Sequence, residues 1–72
     1  MERIFEPSSL DEVKRPIDSL KEGNTVTVEL SSTPEEIGQR VLDLMSGAAY
    51  ALNAKISRVN NWKYSYIPRD SE

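Results

Sequence analysis

No cysteine and no histidine occur in this chain. The first absence removes disulfides, and the two together remove the usual ligands of a structural zinc site. They also remove the thiol and imidazole of common nucleophilic pairs, so a serine nucleophile would need a lysine or carboxylate base. Long apolar runs are missing too. Nothing approaches the ~20 residues that span a bilayer, and no stretch reads as a signal peptide. Basic clusters are scarce: nine Lys and Arg against twelve Asp and Glu give a net charge of −3. The largest basic cluster is the pair Lys14-Arg15. Nucleic-acid binding normally needs a basic patch, and an acidic chain suits an anionic membrane surface poorly. The three glycines, Gly23, Gly38 and Gly47, are scattered and form no phosphate-cradling pattern. No metal and no cofactor is expected.

With 72 residues the chain makes one small domain. A chain of this size buries only about 60% of the surface that its unfolded form exposes, so its stability is marginal. Without disulfide or metal, self-association is the remaining common support.

What is present reads as an alternation of short strands and helices. Arg3 to Glu6 is a first strand ended by Pro7. Ser9 and Glu12 have capping-box spacing, and Leu10, Val13, Ile17 and Leu20 follow at helical intervals. Pro16 interrupts this helix, because it lacks an N–H for the carbonyl of Glu12. A kink is expected there, or a helix that begins near Arg15. Gly23 supplies the left-handed stop. Thr25 to Leu30 alternates strictly and directs Val26, Val28 and Leu30 to a core. Thr33, Pro34 and Glu36 make a second helix start, with Thr33 as cap and Glu36 completing a capping box. That helix should run to about Asn53. Ala54 to Val59 and Trp62 to Ile67 are then two strands joined by an Asn60-Asn61 turn, asparagine tolerating positive φ. A polar tail, Arg69 to Glu72, should fray.

The order is β-α-β-α-β-β. The first three elements should form a right-handed parallel crossover and the last two strands an antiparallel hairpin. The resulting fold class is α/β, more strictly α+β: a two-layer sandwich, with a mixed sheet carrying both helices on one face.

The second helix is the most informative segment. On a wheel stepped by about 100° per residue, Ile37, Val41, Leu44, Met45, Ala48, Ala51 and Leu52 share one broad apolar arc. Gly38, Leu42, Ser46 and Ala49 form an adjoining arc. One arc docks a helix on a sheet. The second, slim arc is expected to meet another helix closely, either within the subunit or from a second molecule.

The residues that could carry chemistry have structural explanations. Ser46-Gly47 lies in mid-helix, whereas a nucleophilic serine of this kind needs a strained strand-to-helix elbow. Asp11, Glu12, Glu35 and Glu36 all sit at helix starts, where capping and the dipole account for them. Tyr50 is on the polar side of its helix, as an interface anchor or a partly exposed ring. Trp62, Tyr64 and Tyr66 alternate on the last strand and share one side of the sheet. They either cover the core or form an outer aromatic patch, the arrangement with which RNA-binding sheets stack bases.

The element order, together with Ile4-Phe5-Glu6-Pro7, Leu10-Asp11-Glu12-Val13 and the run Arg40 to Leu52, resembles the SepF cell-division family over nearly the whole chain. The Asp43-x-x-Ser46-Gly47-x-x-Tyr50-Ala51-Leu52 string is its most specific part. The resemblance implies a non-enzymatic adaptor core that dimerises and binds the C-terminal tail of the tubulin-like division protein FtsZ. It would act on the cytoplasmic face of the membrane at the septum. Membrane contact would come from an N-terminal amphipathic helix that lies outside this sequence. Gly47 matches a family glycine associated with self-assembly through helix packing, and Tyr50 an aromatic position near the tail pocket. Tyr50, Leu42 and Met45 are therefore the candidate tail-binding residues. Gly38, Leu42, Ser46, Gly47 and Ala49 are the candidate self-association residues. The interruption at Pro16, the aromatic last strand and the short stretch after Pro68 depart from the pattern; they weigh against bacterial-type polymers and fit an archaeal member. A second reading, by fold-level analogy, is a regulatory module that binds an amino acid or nucleotide.

Overall fold

The computed structural model describes residues 2–69; the expected frayed tail lies, from Asp70 onward, outside the described residues. Four strands, β1 (Glu2–Phe5), β2 (Thr25–Glu29), β3 (Lys55–Asn60) and β4 (Lys63–Ile67), form one sheet in the order β1-β2-β4-β3. β1 pairs with β2 in parallel, and β4 pairs antiparallel with both β2 and β3. Two helices, α1 (Lys14–Lys21) and α2 (Glu35–Ala51), pack on this sheet. This is the mixed two-layer arrangement expected from the element order.

The register identifies the inner face. Val26 lies opposite Tyr66, and Val28 opposite Tyr64. Val26, Val28 and Tyr66 are fully buried with Leu20, Leu30, Val41, Met45 and Ala49. Trp62 and Tyr64 pack against that cluster. The aromatic residues of the hairpin therefore cover the core, and the outer base-stacking platform does not exist. On the opposite face Thr27 is still only 2% exposed. Its hydroxyl shares a 2.9 Å hydrogen bond with that of Ser65 and lies 3.4 Å from the Glu2 carboxylate. A hydroxyl can be buried there because neighbouring strands satisfy it.

Pro16 determines how the first helical segment is divided. Leu10–Val13 forms a 3-10 turn, and α1 begins only at Lys14. Pro16 thus occupies the first turn of α1, where a backbone N–H needs no helical partner. Gly23, at φ +95°, ends the segment as expected. Its N–H bonds the carbonyl of Leu20 at 3.0 Å, and that of Asn24 the carbonyl of Ser19 at 3.1 Å.

Neither capping box forms. The hydroxyls of Ser8 and Ser9 both donate to the Glu12 carboxylate, at 2.7 and 3.3 Å, rather than to backbone. Thr33 is displaced by Pro34 as the cap residue of α2, and its hydroxyl donates to the carbonyl of Pro7 at 2.6 Å. That bond ties the start of α2 to the exit of β1. The β3–β4 turn also differs from expectation. Asn53 is the one non-glycine residue at positive φ among those described, so Asn60 and Asn61 do not use a left-handed turn. Instead the Asn60 side chain accepts the N–H of Trp62 at 2.8 Å, and β3 carries an irregularity between Arg58 and Asn60.

Candidate protein-binding surface

α2 is rolled relative to the wheel expectation. Its buried residues are Gly38, Val41, Met45 and Ala49, with Ile37, Leu42 and Ala48 half-buried. The buried centre is displaced by roughly 60° from the centre of the first apolar arc, at about 100° per residue. The cause is volume. β4 and its turn present three large rings, and only the slim side of α2 fits over them. A Cβ on Gly38 would lie 3.5 Å from the Trp62 ring and 3.9 Å from the Leu30 Cβ. Close packing of this kind matches small positions to large ones.

The roll corrects the expected contact residues. Gly38 is slim for the Trp62 ring of the subunit's own hairpin and Ala49 is fully buried in the core, so a second molecule has no access to them. Met45 is sealed in the core and is unavailable to a peptide. Leu42 packs against the same core from its edge. Of the residues singled out, Gly47 and Tyr50 lie on the outward face, while Ser46 is exposed at its margin with its hydroxyl near that of Tyr66. Sequence reasoning missed Leu44, which the wheel placed inside and which is 47% exposed. The length of the β4 rings was the signal that could have exposed the error.

The outward face of α2 therefore carries Leu44, Gly47, Tyr50 and Ala51, with Arg40 and Asp43 beside them. Leu44, Gly47 and Ala51 recur at helical spacing and so lie on one line. Tyr50 is 87% exposed. Nothing lies within 4 Å of where a Gly47 Cβ would stand. A glycine inside a helix costs about 1 kcal/mol relative to alanine, and none of the described residues uses the space that Gly47 leaves. A groove of about 530 Å³ adjoins this face, with Leu10 and Ile37 in its lining and Glu36 and Arg40 at its rim.

Charged groups elsewhere hold loops and helix ends. Hydrogen bonding from Ser8 keeps the Glu12 carboxyl below its ordinary range. Lys14, 2.6 Å away on the same helix, does so for Asp18. Ser31 does so for Glu29, whose carboxylate accepts the Ser31 N–H at 3.0 Å. These three carboxylates are all reached by solvent, with Asp18 and Glu29 half-buried, and screening keeps their contributions small. The phenol of Tyr66 moves the other way. Burial, reinforced by Tyr64, pushes it up to about 12, offset slightly by the nearby Ser46 hydroxyl. That hydroxyl lies outside bonding geometry, so the Tyr66 hydroxyl has no hydrogen-bond partner. Among the described residues, no group of three or more acidic side chains is placed to hold a metal ion, and no helix is long and apolar enough to cross a membrane.

The fold is that of solved SepF-like proteins from archaea. A SepF-like protein from Pyrococcus furiosus superposes with a TM-score of 0.85 at 21% identity, covering 100% of this chain and 90% of that one. One from Archaeoglobus fulgidus gives 0.82 at 20% identity, covering 93% and 83%. Sequence carries the likeness further. The family described as cell division protein SepF matches residues 3–72. The cell division protein SepF of Carboxydothermus hydrogenoformans is 39% identical over 67 residues, which cover 93% of this chain and 49% of that protein. Its counterpart in Acetivibrio thermocellus is 38% identical over 67 residues, covering 93% and 43%. The chain belongs to the SepF family of cell division proteins, and it spans about half the length of the curated relatives it matches.

Proposed function

We propose that this domain is the folded core of a non-enzymatic division adaptor. It pairs with a second copy through the outward face of α2 and binds the C-terminal tail of FtsZ. The observation that carries this reading is Gly47, a helix-weakening residue with open space around it, flanked by exposed Leu44 and Tyr50. A small residue between two apolar ones lets helix backbones approach closely. The adjoining groove lined by Leu10 and Ile37 suits a short apolar peptide. Tethering would then work by avidity: one weak tail site per subunit becomes strong when a dimer meets many tails, since the second binding event is intramolecular. Membrane contact is assigned to an amphipathic helix outside this chain, and the site of action to the cytoplasmic side of the septum.

The test combines solution mass with titration of an FtsZ tail peptide. The native chain should sediment as a dimer, and Gly47→Lys as a folded monomer. Open space at Gly47 means the lysine leaves the subunit itself intact. Tyr50→Ala should weaken the tail peptide by about tenfold, as loss of one aromatic anchor does. A native chain that stays monomeric at high concentration, with no heat on adding peptide, removes the reading.

A further inference from the structure

β3 is the longest strand of the sheet, yet it lies at its edge and pairs only with β4. All six of its residues are exposed. That holds even on the side facing the helices: Ile56, opposite Tyr66, remains 43% exposed. The other edge strand, β1, has four residues with Glu2 beside Arg3, and Pro7 follows it closely. β3 is therefore the longer free backbone edge, with an apolar shelf beside it.

Its charge is one-sided. From Asn53 to Arg69 the chain carries Lys55, Arg58, Lys63 and Arg69 and no acidic residue, although acids outnumber bases twelve to nine overall. Lys55 and Arg58 are on β3 itself. Two β3 edges brought together would oppose cation to cation, which destabilises a strand pair. Charges of this kind on an edge guard against self-pairing. They also define what can pair: a strand bearing acidic side chains. The irregularity between Arg58 and Asn60 limits the regular edge to Lys55–Arg58, roughly 13 Å of extended chain. That length fits a short linear motif.

We propose that the β3 edge receives a short, extended, acidic peptide segment as a fifth strand, with an apolar side chain against Ile56 and one carboxylate on each face of the sheet, at Lys55 on one side and at Arg58 on the other. Main-chain hydrogen bonds supply affinity in such strand addition, and alternate side chains supply selectivity. The inference rests on the peptide-adaptor reading and adds to the groove beside α2 a second contact, for an acidic part of the bound segment. α2 ends at Ala51 and β3 begins at Lys55, so Tyr50 stands within one helical turn of the connection to this edge.

The experiment is residue-resolved amide exchange on the full chain with three probes: the FtsZ tail peptide, a decapeptide repeating glutamate-valine-valine, which sets valine at Ile56 and a glutamate on each face at Lys55 and Arg58, and its lysine-for-glutamate counterpart. The tail and glutamate peptides should slow alternate amides of Lys55–Arg58 by about tenfold, and the lysine peptide should not. Lys55→Glu with Arg58→Glu should reverse the preference between the two designed peptides. If that variant fails to fold, Arg58→Gln should weaken the glutamate peptide alone. Three results overturn the proposal: a β3 edge that no peptide protects, protection that appears without peptide and rises with protein concentration, or equal protection by both designed peptides. A tail peptide that protects only α2 also overturns it and leaves the adaptor reading intact. Edge protection by the glutamate peptide without any tail binding sustains the edge and removes the adaptor reading.

Discussion

Tyr66 is fully enclosed in the core, and its hydroxyl ends there unpaired. An unmade hydrogen bond leaves the desolvation cost of the hydroxyl uncompensated. Tyr66→Phe keeps the ring and removes that cost, so it should be neutral or stabilising by up to about 1 kcal/mol in urea unfolding. Alkaline pH gives a second readout. Above roughly pH 10 the unfolded chain releases this phenolic proton while the folded chain retains it, so the unfolded state binds fewer protons and stability falls as pH rises. The fall should extend toward about 12, where the folded phenol titrates. Unfolding curves measured across this range should be flatter for Tyr66→Phe than for the native chain. Gly38 tests the fit between helix and rings. Its absent Cβ would meet Trp62 and Leu30 at ordinary contact distances, so Gly38→Ala should gain up to about 1 kcal/mol from helix propensity. Gly38→Leu forces the Trp62 ring aside and should lose about 1–3 kcal/mol.

α2 separates what periodicity reveals from what it hides. Met45 and Leu44 are neighbours in sequence and both lie in the apolar arc read from the wheel, but the roll of the helix buries one and exposes the other. Met45→Ala should cost about 2–5 kcal/mol, as buried truncations do. Leu44→Ala should cost less than about 1 kcal/mol in the monomeric Gly47→Lys background. Comparing their denaturation midpoints checks the roll directly. All four strands and both helices were legible in the sequence, because alternation at Val26 and Val28 and the spacing from Ile37 to Leu52 are local signals. The proline-delayed start of α1 and the stop at Gly23 were legible for the same reason. Helix roll was not, because it depends on the volumes of Trp62, Tyr64 and Tyr66 in a strand that pairs from far along the chain. The two capping boxes failed for a related reason. Ser8 and Pro7, outside the capping motifs, offered Glu12 and Thr33 alternative partners. Of the candidate contact residues, the sequence told which are accessible only in part: Gly47 and Tyr50 are exposed, while Gly38, Met45 and Ala49 are buried in the core.

At the scale of the molecule, a single small core leaves little stability in reserve. Association through the outward face of α2 would add to it by mass action, so the melting temperature of the native chain should rise with protein concentration. Gly47→Lys should melt at one temperature whatever its concentration, and calorimetry over a hundredfold dilution range distinguishes the two. The order β1-β2-β4-β3 has its own outcome for biosynthesis. The last of the four described strands to be made is an interior one, so during translation β2 waits with a vacant flank and α2 has no aromatic floor to settle on. A nascent chain cannot mature piecemeal from its beginning. It stays uncommitted until Lys63–Ile67 has emerged, and a copy that stops short of that segment keeps an open seam between β2 and β3 that nothing else among the described residues can close.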